Sequence, residues 1–167
     1  MKNSEARATI VTCYYELRDI SQIIEKNLLD SSNNYLNRYA IIRACGAIES
    51  SFKRILADYL INHSNGHIDI EDYLDRIIIK SSTNPALTKI QQCASNISKA
   101  RGSKYTKKIE SINKIELSSK KAALSSLVAD RNSFAHGGTP NTSASRTLNY
   151  FQQAIFFIKI LDEEFSS

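Results

Sequence analysis

The residues best suited to chemistry lie in one short run, Asp130–Gly138. It contains Arg131, Asn132 and His136. An arginine presents a planar set of donors that matches phosphate oxygens, and a histidine titrates near neutral pH. Cleavage of RNA by attack of its own 2′-hydroxyl needs proton transfer at two oxygens and positive charge beside the developing phosphorane. These residue types therefore suit RNA cleavage without a metal ion.

Helical spacing, and the stop signal of Gly137–Gly138, put this run at the end of a helix. Arg131 follows Leu124 and Leu127 at helical intervals, so it falls on an apolar stripe. A guanidinium there is costly unless it is paired or lies at an interface or ligand site. Asn132 and His136 are four residues apart and share a helix face. A buried salt bridge for Arg131 and a plain helix-terminal His136 form the alternative, and the residues alone leave both interpretations open.

One chain supplies only one motif histidine. A two-fold dimer that brings two motif helices together would supply two histidines and two arginines to one groove. The sequence shows no cluster of carboxylates for a catalytic Mg²⁺ ion. His63 and His67 are four apart, but Gly66 interrupts the helix that would align them. We therefore expect no metal and no cofactor.

The elements that must position the motif are helices. Apolar residues recur at three- and four-residue steps, and no strand pattern or internal repeat is present. Helices are predicted at about 4–29, 35–63, 69–80, 85–100 and 118–137, and from a cap at Thr142 or Ser143 onward. Gly46 is expected to mark a close approach between helices, and Gly102 to end the fourth helix. The prediction is an all-α bundle of five to seven helices, as one domain over residues 1–167.

The positive charge is concentrated in one segment. The net charge is +5, and eight lysines and arginines lie between Lys99 and Lys121 against two glutamates. Lys104, Lys107 and Lys108 are assigned to RNA from this charge, with Tyr105 among them. A solvated, lysine-rich connector is an equally good interpretation. Because no apolar run is long enough to cross a bilayer and no signal peptide is recognisable, we expect a cytoplasmic protein with three free cysteines.

The motif run also resembles a known superfamily. Residues 131–137, RNSFAHG, are similar to the arginine, polar residue and histidine signature of the HEPN (higher eukaryotes and prokaryotes nucleotide-binding) superfamily, at its shortest spacing and in a penultimate helix. Residues 43–52, RACGAIESSF, resemble the glutamate-bearing helix of the RiboL-PSP-like single-domain HEPN groups.

This resemblance implies a homodimeric, metal-independent endoribonuclease that leaves 2′,3′-cyclic phosphate ends. Such enzymes often belong to toxin–antitoxin or anti-phage abortive infection systems, so it also implies an antitoxin or other regulatory partner. By position, Arg131 and His136 are catalytic, Asn132 positions the substrate, and Glu49 is a candidate orienting partner for Arg131.

Two other functions remain open. One is a catalytically inactive HEPN-like binding subunit that docks a partner protein such as a nucleotidyltransferase. The other is a plain helical adaptor in which Arg131 only pairs with Glu49.

Overall fold

The computed structural model of the protein describes residues 1–63, 84–139 and 142–166. All regular elements within these residues are α-helices, which confirms the predicted fold class. The six helices described are α1 (Ser4–Lys26), α2 (Asn33–His63), α3 (Leu87–Ile97), α4 (Lys99–Glu110), α5 (Lys114–Ala135) and α6 (Ala144–Phe165). The helix predicted at 69–80, and His67, fall outside the described residues.

The bundle is organised around α2 and α6. These two helices pack against each other, and each also packs against α1 and α5. Their contact buries large apolar side chains, including Phe52 of α2 and Phe151 and Phe157 of α6. Helices α3 and α4 form a hairpin, and α4 adds Tyr105 and Ile109 to the core beside α6. Since α2 has 31 residues, it is about 46 Å long and reaches both ends of the bundle.

Local capping signals explain several helix ends. Ser143 caps α6, as predicted, and its side chain accepts a hydrogen bond from the Arg146 backbone N–H at 3.2 Å. Helix α5 begins at Lys114, four residues before the predicted start, because the Asn113 side chain caps it. Helix α1 ends at Lys26 rather than near residue 29.

Gly102 does not end a helix, which corrects the prediction. It lies inside α4, and a Cβ at this position would be 2.6 Å from the Cα of Ser95 on α3. The glycine therefore allows α3 and α4 to cross closely. Helix α3 ends at Ile97, and Ser98 caps α4. The basic segment 99–121 is thus helical, in α4 and in the first turns of α5, with a short turn at 111–113 between them.

The expectation for Gly46 is also wrong within the described chain. It lies on an exposed face of α2, and a Cβ there would have nothing within 4 Å. No neighbouring helix of the described residues uses the space that this glycine leaves. None of the described helices is long and apolar enough to cross a membrane.

Candidate active site

The motif helix α5 ends in a closed turn that positions His136. His136 is the C-cap residue, and Gly137 follows with a positive φ of 81°. The N–H of Gly137 donates to the carbonyl of Phe134 at 3.0 Å, and the N–H of Gly138 donates to the carbonyl of Ser133 at 2.8 Å. This pair of bonds is the Schellman arrangement, which satisfies the last helical carbonyls. The turn leaves the His136 ring exposed at the helix end.

The two glycines of this turn have different physical roles. Gly137 takes up a left-handed backbone conformation that residues with a Cβ adopt only at a cost. Gly138 is needed for space, because a Cβ there would lie 2.9 Å from the carbonyl oxygen of Ser133. The motif therefore includes its own helix terminator, as the sequence predicted.

Arg131 lies one turn before this terminator, half-buried beside α2. Its charge reaches the Cys45 thiol of α2, whose Sγ contacts the Leu127 carbonyl at 3.4 Å. Burial raises the pKa of Cys45 to about 12, and the positive charge of Arg131 acts against that rise. Across residues 1–63, 84–139 and 142–166, the Arg131 guanidinium makes no hydrogen bond or ion pair. A half-buried cation without a counter-ion is suited to binding an anion.

Glu49 lies on α2 one turn beyond Cys45, in the same region as Arg131. Its carboxylate forms an ion pair with the buried ammonium of Lys53 at 2.5 Å. No ion pair joins Glu49 to Arg131 in the structure as described, and this is the contact on which the adaptor interpretation depends. The orienting role of Glu49 stays a prediction.

Asn132 is tied to the segment that leads into α3. Its Oδ1 accepts a hydrogen bond from Nδ2 of Asn84 at 3.1 Å. A second tie joins α5 to the segment before α6, where the Thr142 hydroxyl donates to the Asp130 carboxylate at 2.6 Å. The end of the motif helix is thus held from two sides, and the amide of Asn132 has a defined orientation.

The structure also brings Arg38 to this end of the bundle, and the sequence analysis missed it. Its guanidinium carbon lies 5.6 Å from the centroid of the Phe134 ring, and one of its nitrogens lies 3.4 Å from the Thr139 hydroxyl. Arg38 is thus a second cation beside the motif. No pattern in the sequence singles it out, because its position follows from the packing of α2 against α5.

The three predicted RNA-binding lysines lie on α4, away from the motif. Lys108 pairs with Glu163 at 2.6 Å and Glu164 at 3.3 Å, at the last turn of α6. The motif lies near the first turn of α6, so the two places are about 30 Å apart along that helix. Lys104 and Lys107 are exposed on α4. The neighbouring Tyr105 is fully buried, so its ring is not available to stack on a base.

The described residues contain no group of three or more His, Cys, Asp or Glu side chains that could hold a metal ion. His63 is exposed at the C-terminal end of α2, where its Nδ1 lies 2.7 Å from the Tyr59 carbonyl. Both Cys13 and Cys45 are buried free thiols, and Cys93 is half-buried.

Comparison with protein families now identifies the chain. The family described as RiboL-PSP-HEPN matches residues 11–167. The chain belongs to the RiboL-PSP-HEPN family. This membership confirms the predicted HEPN assignment, which rested on residues 131–137, residues 43–52 and the all-α plan, and the match covers nearly the whole chain. It indicates a function related to nucleotides or RNA. Comparisons with curated proteins and with solved structures found no match.

Proposed function

We propose that this RiboL-PSP-HEPN protein is a metal-independent endoribonuclease. It cleaves RNA by 2′-hydroxyl attack and leaves 2′,3′-cyclic phosphate and 5′-hydroxyl ends. The observation that carries the proposal is Arg131, a half-buried guanidinium with no counter-ion in the described chain, at the same helix end as the exposed His136. Family membership supports it.

Arg131 acts on the phosphate. Its planar donors bind the non-bridging oxygens and stabilise the extra negative charge of the phosphorane. Burying a cation costs free energy, and a bound phosphate offsets that cost in the complex. The guanidinium therefore interacts most strongly with the transition state, which carries the most negative charge.

His136 transfers the proton. Its ring is exposed at the helix end, so it can reach the 2′-hydroxyl or the leaving 5′-oxygen of a bound strand. Asn132 positions the substrate, since its Oδ1 is engaged by Asn84 and its amide N–H groups remain available as donors.

Each chain contributes one motif histidine, whereas the reaction needs a general base and a general acid. We propose a homodimer in which two motif ends meet, so that the two His136 rings share these tasks. The family resemblance further suggests a toxin or anti-phage defence component, acting in the cytoplasm and held in check by an antitoxin or another regulatory protein.

The first prediction tests cleavage directly. Purified protein is incubated with RNA in EDTA, beside Arg131→Ala and His136→Ala. We expect each variant to lose about 100-fold or more in rate, the usual effect of removing a group that stabilises the transition state. The products of the wild-type protein should carry 2′,3′-cyclic phosphate ends.

Matched controls distinguish the loss of a motif side chain from the loss of any arginine or histidine at the surface. Arg7→Ala removes an exposed arginine of α1, and His63→Ala removes another exposed, helix-terminal histidine. Both controls should cleave like the wild-type protein. Equal cleavage by all variants, or none by any of them, contradicts the proposal.

One observation favours a second candidate, the inactive HEPN-like subunit that docks a protein such as a nucleotidyltransferase. Leu28 is 74% exposed and Leu29 is fully exposed in the turn between α1 and α2. Exposed leucines side by side suit a protein contact. This candidate predicts a stable complex without RNA cleavage, which Leu28→Ser and Leu29→Ser would weaken.

A further inference from the structure

Arg38 of α2 is held against the end of the motif helix by two contacts. Its guanidinium carbon lies 5.6 Å from the centroid of the Phe134 ring, and one of its nitrogens lies 3.4 Å from the Thr139 hydroxyl. A guanidinium that stacks on a ring keeps the N–H donors at its edges available for a further group. Since Thr139 engages one nitrogen, most of the donors of Arg38 remain for another acceptor.

Arg38 is not neutralised by any carboxylate of the described residues. It is half-buried and makes no ion pair with them. Asp130, the one carboxylate of the motif run, accepts a hydrogen bond from the Thr142 hydroxyl at 2.6 Å and forms no ion pair within the same part of the chain. Arg38 therefore shares with Arg131 the property that suits an arginine to binding an anion.

Two contacts between α2 and α5 place Arg38 relative to Arg131. The Sγ of Cys45 lies 3.4 Å from the Leu127 carbonyl, and Arg38 lies over the Phe134 ring. The two contacting positions are seven residues apart on each helix, in opposite chain directions, so α2 and α5 run antiparallel here. Arg131 falls between Leu127 and Phe134. The positions of the two arginines therefore differ by about one helix turn along the axis.

Arg38 also reaches further along the motif than Arg131 does. Arg131 precedes His136 by five residues, whereas Arg38 contacts Phe134 before His136 and Thr139 after it. An RNA strand carries a negative charge at every nucleotide step, so two cations about one turn apart can hold successive phosphates. With the scissile phosphate at Arg131, the next phosphate of the strand lies toward Arg38.

We propose that Arg38 binds a second, non-reacting phosphate of single-stranded RNA, next to the phosphate that Arg131 binds. The planar guanidinium, already oriented by the Phe134 ring, fixes the register of the strand on the motif. Arg38 is thus a substrate-binding residue that does not contact the reacting atoms. The inference rests on the proposed function for the identity of the reacting phosphate, but RNA binding at Arg38 does not require cleavage.

A binding experiment with single neutral linkages tests this site. The His136→Ala protein is titrated with a labelled single-stranded oligoribonucleotide, and then with versions in which one phosphate at a time is replaced by an uncharged methylphosphonate. Adding Arg38→Gln should weaken binding of the unmodified RNA about ten-fold, the loss of one charge-assisted contact. At one linkage, the methylphosphonate should weaken binding by the same factor, and it should have no further effect when Arg38→Gln is present.

Arg18→Gln is the matched control, because Arg18 also lies over a ring, with its guanidinium carbon 4.8 Å from the Tyr15 centroid. It lies on α1 and pairs with Asp19 at 3.0 Å, so its loss should leave the RNA affinity unchanged. Arg38→Lys restores the charge without the planar fork and should recover part of the affinity. Thermal unfolding checks that every variant folds. If no linkage couples to Arg38, or if Arg18→Gln weakens binding equally, the second phosphate site is wrong.

Cleavage kinetics then separate binding from chemistry. In the otherwise wild-type protein, Arg38→Gln should raise KM about ten-fold and leave kcat within about two-fold, because the second phosphate is bound equally in the ground and transition states. A fall in kcat as large as that of Arg131→Ala would put Arg38 on the reacting phosphate and overturn the assignment.

The two proposals fail in different ways. RNA binding that couples to Arg38, without any cleavage, removes the ribonuclease and leaves the phosphate site. Cleavage that depends on Arg131 and His136, with no linkage coupled to Arg38, removes the phosphate site and leaves the ribonuclease.

Discussion

The two ends of the bundle differ in whether their positively charged side chains have partners within the fold. At the motif end, where α5 terminates, Arg131 has no counter-ion among the described residues. At the basic end, where α4 meets the last turn of α6, Lys108 pairs with two glutamates and Arg101 donates to the backbone carbonyl of Glu164. The basic end contains more charge, but the two cations that lie against α6, Lys108 and Arg101, are engaged within the fold. A cation that packing leaves without a partner is the better indicator of an anion site.

The basic end also anchors the N-terminus of the chain. The buried carboxylate of Asp162 accepts hydrogen bonds from the backbone N–H groups of Lys2 and Asn3 and from the Ser166 hydroxyl. These contacts stabilise the fold and involve no motif residue. The comparison thus contrasts an end where an arginine lacks a counter-ion among the described residues with an end that holds the chain together.

The largest effect on stability should come from Asp162→Ala. It leaves two backbone N–H groups without their acceptor, so we expect unfolding to become easier by about 2–4 kcal/mol. RNA cleavage per folded molecule should not change, because the motif lies at the other end. Urea unfolding and cleavage assays measure the two quantities.

Asp162→Asn is the matched control, since it keeps one carbonyl oxygen as an acceptor, and it should cost less than Asp162→Ala. If either variant lowers cleavage while the protein stays folded, the division of roles between the two ends is wrong.

An intermediate effect is expected for Gly137→Ala at the motif end. An alanine with a φ of 81° is strained by about 1–2 kcal/mol. Because the turn also positions His136, the cleavage rate should fall along with stability. Gly137→Asn should recover part of both, because asparagine tolerates this backbone conformation. Wild-type stability for Gly137→Ala would show that the turn does not constrain the helix end.

The smallest effect is expected for the lysines of α4. If Lys107 contacts an RNA phosphate, Lys107→Gln should weaken binding and lower the slope of affinity against salt by about 1, with kcat unchanged. Lys108→Gln should do less, because Glu163 and Glu164 already pair with its ammonium. Binding can be measured with the His136→Ala protein at several salt concentrations.

If Lys107→Gln or Lys108→Gln lowered kcat as much as Arg131→Ala does, the lysines of α4 would take part in catalysis. The comparison between the two ends would then not hold.

Sequence patterns predicted the features that local physics controls. The helices of the described residues follow from apolar spacing, except α4, which was not predicted as a separate helix. The Ser143 cap and the Gly137–Gly138 turn form hydrogen bonds within a few residues of one another. The motif itself is continuous in sequence, so its residues could be named before the fold was known.

Other features depend on contacts between distant parts of the chain. Gly102 was predicted to end a helix, because a glycine after a helical pattern is a common stop signal. Its actual role is a close approach to Ser95, which is a contact between two helices and leaves no pattern in the sequence. Arg38 was missed as a second cation at the motif for a similar reason. Its contact with Thr139 joins residues 101 apart in sequence.

The sequence by itself determined an all-α chain with an Arg-Asn-x3-His motif at a helix end, because helix periodicity, caps and glycine turns act over a few residues. Only the tertiary structure decided which charges are paired and which face of α2 is left open. Lys108 meets its glutamates, and Arg131 lacks a counter-ion within the described residues, because helix packing selects neighbours. The motif thus gives the candidate residues, and the packing decides which of them have a partner within the described chain.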